Sequence, residues 1–145
     1  MSPEQRTLRI VVIEDNTPDV MLIRETLSGS AMPYEIVHFK DGAEAISGLT
    51  DASAKQEPLP DLIMLDLNMP KVDGLQVLQA IQKLDSLAHV PVVVLTSSLA
   101  PDEKQEAERL GAARYLRKPL DLYEFLDQVG TIVRELIPAA KEHAS

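Results

Sequence analysis

Acidic residues follow two apolar segments of the sequence, and a lysine follows a third, at positions where buried strands would end. Glu14 and Asp15 come directly after residues 10–13, Asp66 ends another apolar run, and Lys118 follows a shorter one. A charged carboxylate at the end of a buried strand is costly unless a partner or a metal compensates it. Three acids and one lysine at strand ends therefore predict a cation site that holds a phosphoryl group.

These side chains are expected to converge, because neighbouring parallel strands lie about 4.8 Å apart. Magnesium prefers oxygen ligands and retains waters, so Glu14, Asp15 and Asp66 with a phosphoryl oxygen would suffice. The metal would neutralise charge while Asp66 attacks phosphorus in line, and the Lys118 ammonium would hold another phosphoryl oxygen. The alternative is that each acid is a helix cap or a solvated loop residue, which leaves their joint occurrence with Lys118 unexplained.

The elements that position these residues alternate between strand and helix five times. Helices are predicted between and after the strands, with Thr17 as a cap of the first, Asp41 beginning the second and Gly111 ending the fourth. This pattern predicts an α/β fold of the flavodoxin-like (βα)5 type, with a five-stranded parallel sheet in the order 2-1-3-4-5. The predicted strands cover residues 8–13, 34–39, 61–66, 91–96 and 114–116.

Composition narrows the class of protein. With 145 residues, 45% of them hydrophobic, the chain is expected to form a single domain over residues 1–145. A formal net charge of −9 and 3% aromatic residues disfavour nucleic-acid and anionic-membrane binding. No apolar run approaches the roughly 20 residues of a membrane span. The absence of cysteine excludes disulfides and thiolate chemistry and fits a cytoplasmic location.

The motifs around these residues resemble those of response-regulator receiver domains, over about residues 8–137. Among these, the chain is most similar to the stand-alone regulators of bacterial and cyanobacterial phytochrome kinases, through its Glu-Asp-Asn sequence, the nearby Asp19 and the long loop before the third strand. The motifs occur in the family's order: IEDN (13–16), LDLNMP (65–70) with DG (73–74), LTS (95–97) and YLRKP (115–119).

The resemblance implies a role for each matching residue. Asp66 would be the phosphoacceptor, and Glu14 and Asp15 the acidic pair that binds magnesium. The backbone carbonyl of Asn68 would be a further metal ligand, and its side chain would face the attacking water. Lys118 would bind the phosphoryl group. Thr96 and Tyr115 would be the switch hydroxyl and the switch aromatic residue.

The resemblance also implies a small Ser97 that leaves the aspartate accessible, and a cis bond between Lys118 and Pro119. Lys71 departs from the glycine that many receivers carry.

Other polar residues have simpler expected roles. Asp19 is expected to be a first-turn charge that the helix dipole favours, rather than a ligand. Asp73 is expected to cap a helix or form a turn, and the charged run 102–109 to be a solvated helix face. The three histidines, His38, His89 and His143, are isolated and are expected at the surface.

Three functions are compatible with these residues. The leading one is a phosphorylation switch that takes phosphoryl from a partner sensor histidine kinase, since no histidine belongs to the site. Such a protein catalyses its own phosphorylation and dephosphorylation without turning over an external substrate. A magnesium-dependent phosphohydrolase of the haloacid-dehalogenase type is the second, although Asn68 stands where that class needs an aspartate. A degenerate receiver that only binds proteins is the third.

Output is expected to use the face formed by helix four, strand five and helix five. The predicted fifth helix carries apolar residues on more than one of its faces. They either pack on the chain's own strand five and helix four or form a two-fold homodimer. These apolar residues are Leu122, Tyr123, Phe125, Leu126, Val129, Ile132, Val133, Leu136 and Ile137.

Overall fold

The fold was obtained as a computed structural model. It describes residues 7–28, 33–69, 73–97, 100–118, 127, 128, 130–132, 134 and 135. The strands are β1 (Leu8–Ile13), β2 (Tyr34–Phe39), β3 (Leu62–Asp66), β4 (Val92–Thr96) and β5 (Arg114–Arg117). The helices are α1 (Thr17–Ser28), α2 (Gly42–Ala54), α3 (Gly74–Gln82) and α4 (Pro101–Arg109), with a 3-10 turn at Asp85–Leu87. Residues 127, 128, 130–132, 134 and 135 are helical and are the described part of a last helix, α5.

The five strands form one parallel sheet in the order β2-β1-β3-β4-β5, which confirms the predicted flavodoxin-like topology. Ile13 of β1 pairs with Leu65 of β3, and Asp66 pairs with Leu95 of β4. Thr96 pairs with Arg117 of β5. The carboxyl ends of β1, β3, β4 and β5 therefore lie side by side, which places the residues that follow them at one edge of the sheet.

The sheet is buried on both faces, and the alternation of strand side chains decides which helix each residue meets. Even-numbered residues such as Ile10 and Met64 pack with α1 and α5, where Ile23 and Ile132 are buried. Odd-numbered β1 and β3 residues pack with α2, α3 and α4. In β4 the even-numbered Val92 and Val94 face this second side. Burial on both faces explains the aliphatic runs of the three inner strands, β1, β3 and β4, whereas the edge strands β2 and β5 are partly exposed and carry polar residues.

Local signals set most of the element ends. Asp41 caps α2 by accepting the Glu44 backbone N–H, and Asp73 caps α3 by accepting the Leu75 N–H. Gly111 has φ +97°, a left-handed conformation that glycine adopts without strain, directly after α4.

Thr17 was wrongly predicted as the cap of α1, because it is the first helical residue. The Asn16 side chain accepts the Asp19 N–H instead, at 3.0 Å. The third and fourth strands each begin one residue later than predicted, and the fifth extends to Arg117. The predicted opening of the last helix at Asp121, Lys71 and the Lys118-Pro119 bond lie outside the described residues. In the part of the chain described above, no helix combines the length and apolar character needed to span a membrane.

Candidate functional site

The three carboxylates predicted to converge do so at the carboxyl edge of the sheet. Glu14 and Asp15 follow β1, and Asp66 is the last residue of the neighbouring β3. One carboxylate oxygen from each lies within 4.8 Å of the others. Glu14 is fully buried and Asp66 nearly so, whereas Asp15 is exposed. The cluster is therefore shielded from water where it adjoins the sheet, at Glu14 and Asp66, and is accessible to solvent at Asp15.

Lys118 supplies the positive charge of the site. Its backbone N–H donates to the Thr96 carbonyl at 2.5 Å, which fixes the chain just beyond β5 beside β4. Its Nζ donates to Glu14 at 2.5 Å and lies 3.6 Å from Asp66 Oδ2. Only 15% of the Lys118 side chain is exposed, so the ammonium is held inside the cluster.

Asp19 joins this cluster, which the sequence did not predict. It does lie in the first turn of α1, as expected, but its carboxylate accepts Lys118 Nζ at 2.7 Å. In β3 and β5 the even-numbered side chains point to the face of the sheet that α1 covers. Asp66 and Lys118 continue this alternation, which brings them beside Asp19 of α1. The prediction that Asp19 is merely a helix-dipole charge was therefore incomplete.

Burial dominates the electrostatics of the acidic cluster. Burial, together with the neighbouring Asp66 carboxyl, raises the pKa of Glu14 to about 8, although Lys118 opposes the shift. Burial lowers the pKa of Lys118, but its hydrogen bonds with Asp19 and Glu14 outweigh this and leave that pKa above its ordinary value. The carboxylates thus outnumber the single cation, and Glu14 is left to take up a proton.

The donor set suits a hard divalent cation. Carboxylate oxygens are the ligands that magnesium and manganese accept, and a cation among them would favour the ionised form of Glu14, whose pKa is raised chiefly by burial. A cleft of about 390 Å³ opens above the cluster, which leaves room for waters and a phosphoryl group. The residues that line it are Glu14, Asp15, Asn16, Asp19, Asp66, Asn68, Ser97 and Lys118.

The loop after β3 is tied to both the phosphoacceptor candidate and β4. The Asn68 N–H donates to Asp66 Oδ1 at 2.9 Å. The Asn68 side-chain oxygen accepts the Ser97 N–H at 2.6 Å and lies 2.8 Å from the Thr96 hydroxyl. The Asn68 side chain therefore lines the cleft while it is held by β4 and Ser97.

A close approach between backbones fixes the same loop. A Cβ on Gly74 would lie 2.4 Å from the Leu67 Cα and 2.8 Å from its carbonyl oxygen. No side chain fits there without displacing backbone. Glycine at this position lets α3 begin directly against the loop that carries Asn68.

The two switch candidates meet at one residue of α4. Thr96 is fully buried, and its hydroxyl donates to Glu103 Oε1 at 2.6 Å. The half-buried Tyr115 donates to the same oxygen at 3.2 Å. Burial raises the pKa of the Tyr115 phenol above its ordinary value, and the negative charge of Glu103 raises it further. The prediction that residues 102–109 form only a solvated face is wrong at Glu103, which turns inward from the first turn of α4.

Neither of the histidines that the structure describes lines the cleft above the acidic cluster. His38 and His89 are exposed, as predicted, and His143 lies outside the described residues. His38 Nε2 lies 2.7 Å from the Glu14 backbone carbonyl, so it supports the chain beneath the acidic pair without entering the cleft.

Comparisons with known proteins agree with this geometry. Residues 10–130 match the model of the response regulator receiver domain. The response regulator Rcp1 of Synechocystis sp. is 34% identical over 131 residues, which cover 89% of each chain. The manganese-bound form of Rcp1 is similar in structure, with a TM-score of 0.80, 33% identity and coverage of 90% of this chain and 95% of that one.

A second solved structure is that of the phosphorylated cyanobacterial phytochrome response regulator RcpA. It gives a TM-score of 0.78 and 36% identity, and covers 90% of this chain and 94% of the other. The family match spans most of the chain, and both regulators exceed 30% identity, RcpA being a regulator of the phytochrome group predicted from the motifs. The chain therefore belongs to the response regulator receiver family of two-component signalling.

Proposed function

We propose that this receiver accepts a phosphoryl group on Asp66 from the phosphohistidine of a partner kinase and changes conformation in response. The observation that carries the proposal is the setting of Asp66. It is a nearly buried carboxylate with two further acid oxygens within 4.8 Å and an ammonium group 3.6 Å from Oδ2. This arrangement provides both a nucleophile and compensation for the charge of a phosphoryl group.

In the transfer, an Asp66 carboxylate oxygen attacks phosphorus. The bond from phosphorus to the imidazole nitrogen of the donor breaks, and its electron pair stays on that nitrogen, which takes up a proton. Magnesium held by Glu14, Asp15 and Asp66, with the Asn68 carbonyl as a further ligand, would neutralise charge that builds up on the phosphoryl oxygens. Lys118 Nζ lies close enough to Asp66 to donate to an oxygen of the attached phosphoryl group.

Dephosphorylation restores the resting protein. Water attacks phosphorus, the bond from phosphorus to the Asp66 oxygen breaks, and the products are the carboxylate and inorganic phosphate. The Asn68 side chain lines the cleft, which supports its proposed position toward the attacking water. The Thr96 hydroxyl would move toward the phosphoryl group on Asp66. The Tyr115 side chain would move in response, because both hydroxyls donate to the same Glu103 oxygen.

Mass spectrometry of the intact protein tests the proposal. Wild type incubated with acetyl phosphate and magnesium should gain one phosphoryl mass, and Asp66→Asn should gain none. Asp51→Asn, which changes an exposed aspartate of α2, should behave as wild type. Equal labelling of wild type and Asp66→Asn would refute the assignment. Turnover of a phosphate ester would instead favour the phosphohydrolase alternative, and an unmodified wild type would favour a protein-binding module.

The partner we propose is a sensor histidine kinase of the phytochrome type. RcpA is the supporting relative, because it is a cyanobacterial phytochrome response regulator. Phosphotransfer from a purified phytochrome kinase should be faster than from an unrelated histidine kinase at equal concentration. Equal rates would contradict this choice of partner. The cytoplasmic location stays a prediction.

Homodimer formation through α4, β5 and α5 is the form of output we propose. Ile132 is buried in the chain's own core, so at least this apolar residue of the last helix faces its own sheet. The other apolar residues of that helix lie outside the described residues. Sedimentation of wild type and Ile137→Glu with and without beryllofluoride should show a dimer that the substitution disrupts. A wild type that stays monomeric in every state would refute the dimer.

A further inference from the structure

Glu103 is the one residue of α4 that bonds to both switch candidates among the described side chains. Its Oε1 accepts Thr96 Oγ1 at 2.6 Å and the Tyr115 hydroxyl at 3.2 Å. The alternation of β4 explains the contact, because Thr96 continues the face of Val92 and Val94, which α4 covers. Tyr115 of the adjacent β5 faces the same side. Family motifs do not include Glu103, and it lies outside the acidic cleft.

The hydroxyl of Thr96 has one hydrogen, and the Asn68 and Glu103 side-chain oxygens and the Tyr115 hydroxyl all lie where they can accept it. Asn68 Oδ1 is 2.8 Å away but already accepts the Ser97 N–H at 2.6 Å and the Ser97 hydroxyl at 3.0 Å. Glu103 Oε1 is closer and belongs to a carboxylate, which forms stronger hydrogen bonds than an amide oxygen. The short distance and the charge therefore favour Glu103 as the acceptor of the Thr96 hydrogen.

We propose that Glu103 is a positioning residue that holds the Thr96 hydroxyl in the resting arrangement and competes with a phosphoryl group on Asp66 for its hydrogen. This inference rests on the proposed function. A Thr96 hydroxyl that donates to the phosphoryl group cannot donate to Glu103. The first turn of α4 then loses its charge-assisted bond to β4, and Tyr115 is left as the remaining donor to the Glu103 oxygen described above.

Substitution of Glu103 by glutamine should shift this competition. The glutamine side chain keeps the size and one acceptor oxygen, but a neutral hydrogen bond is about half as strong as a charge-assisted one. Glu103→Gln should therefore bind beryllofluoride, in the presence of magnesium, about five-fold more tightly than wild type. Because the chain has no tryptophan, calorimetric titration is the suitable measurement.

Two controls separate this role from a general effect of charge. Glu108→Gln removes the same charge from an exposed position of α4 and should leave the affinity unchanged. In a Thr96→Val background, which lacks the hydroxyl, Glu103→Gln should no longer tighten binding. Magnesium affinity without beryllofluoride should be the same in wild type and Glu103→Gln.

The possible results are distinct. Equal or weaker beryllofluoride binding by Glu103→Gln would overturn the role of Glu103 and leave the proposed function standing. Tightening that persists without the Thr96 hydroxyl, or that also appears in Glu108→Gln or in magnesium affinity, would overturn it as well. A wild type that binds magnesium but no beryllofluoride would overturn the proposed function, and the role of Glu103 with it.

Discussion

Replacement of Glu14 by glutamine tests the electrostatics of the metal-free site. Glu14 has no exposed surface, accepts Lys118 Nζ at 2.5 Å and lies beside Asp66. Glutamine has nearly the same shape but cannot ionise, so the substitution removes a buried charge and keeps the packing. We expect metal-free wild type to lose stability relative to Glu14→Gln as the pH rises.

The size of this effect follows from the raised pKa. The pKa of Glu14 is about 8 in the folded protein, against 4.5 for an unperturbed glutamate. A group with a raised folded pKa contributes its full stability below the unfolded pKa and loses it as the pH rises toward the folded pKa. Since each pH unit in this window corresponds to about 1.4 kcal/mol, the contribution of Glu14 should fall by roughly 3 kcal/mol between about pH 5 and pH 8.

Urea unfolding with a chelator, followed by circular dichroism, measures this difference. The free energy of unfolding of wild type minus that of Glu14→Gln should decrease by the stated amount from the lower pH to the higher. Glu108→Gln, exposed on α4, should give a nearly constant difference from wild type. If the difference in the free energy of unfolding between wild type and Glu14→Gln does not change with pH, the reasoning is refuted. A buried carboxyl with a raised pKa must destabilise the folded protein as it ionises.

Three further predictions concern the metal, the lysine and the loop. Magnesium should raise the melting temperature of wild type but much less that of Asp15→Asn, since ligand binding stabilises the folded state; an equal shift would mean that the metal binds elsewhere. Lys118→Ala should still bind magnesium in calorimetry, because the substitution removes a cation that competes with the metal for the carboxylates of the site. Its phosphorylation by acetyl phosphate should be slow, and loss of magnesium binding would contradict this prediction. Gly74→Ala should lower the free energy of unfolding by about 1–3 kcal/mol, because its Cβ would meet the Leu67 Cα at 2.4 Å. Gly130→Ala, whose Cβ would meet its nearest neighbour at 3.8 Å, should not.

Short-range patterns accounted for most of the fold. Continuous apolar runs predicted three of the five strands, because a parallel strand buried on both faces has no polar side to interrupt the run. Asp41 and Gly111 marked helix ends through their own backbone chemistry, which depends on residues only a few positions away. Asn16 was missed as the cap of α1 because Thr17, one residue later, is an equally suitable type.

The sequence by itself determined that Glu14, Asp15 and Asp66 meet, because the carboxyl ends of parallel strands share one edge of a sheet. It did not determine the partners of Asp19 and Glu103. Asp19 and Lys118 are 99 residues apart, and their contact depends on which face of the sheet α1 covers. Glu103 meets Thr96 and Tyr115 only because of the rotation of α4 about its axis. Helix placement and rotation result from packing of whole elements, and no local run of residues encodes them.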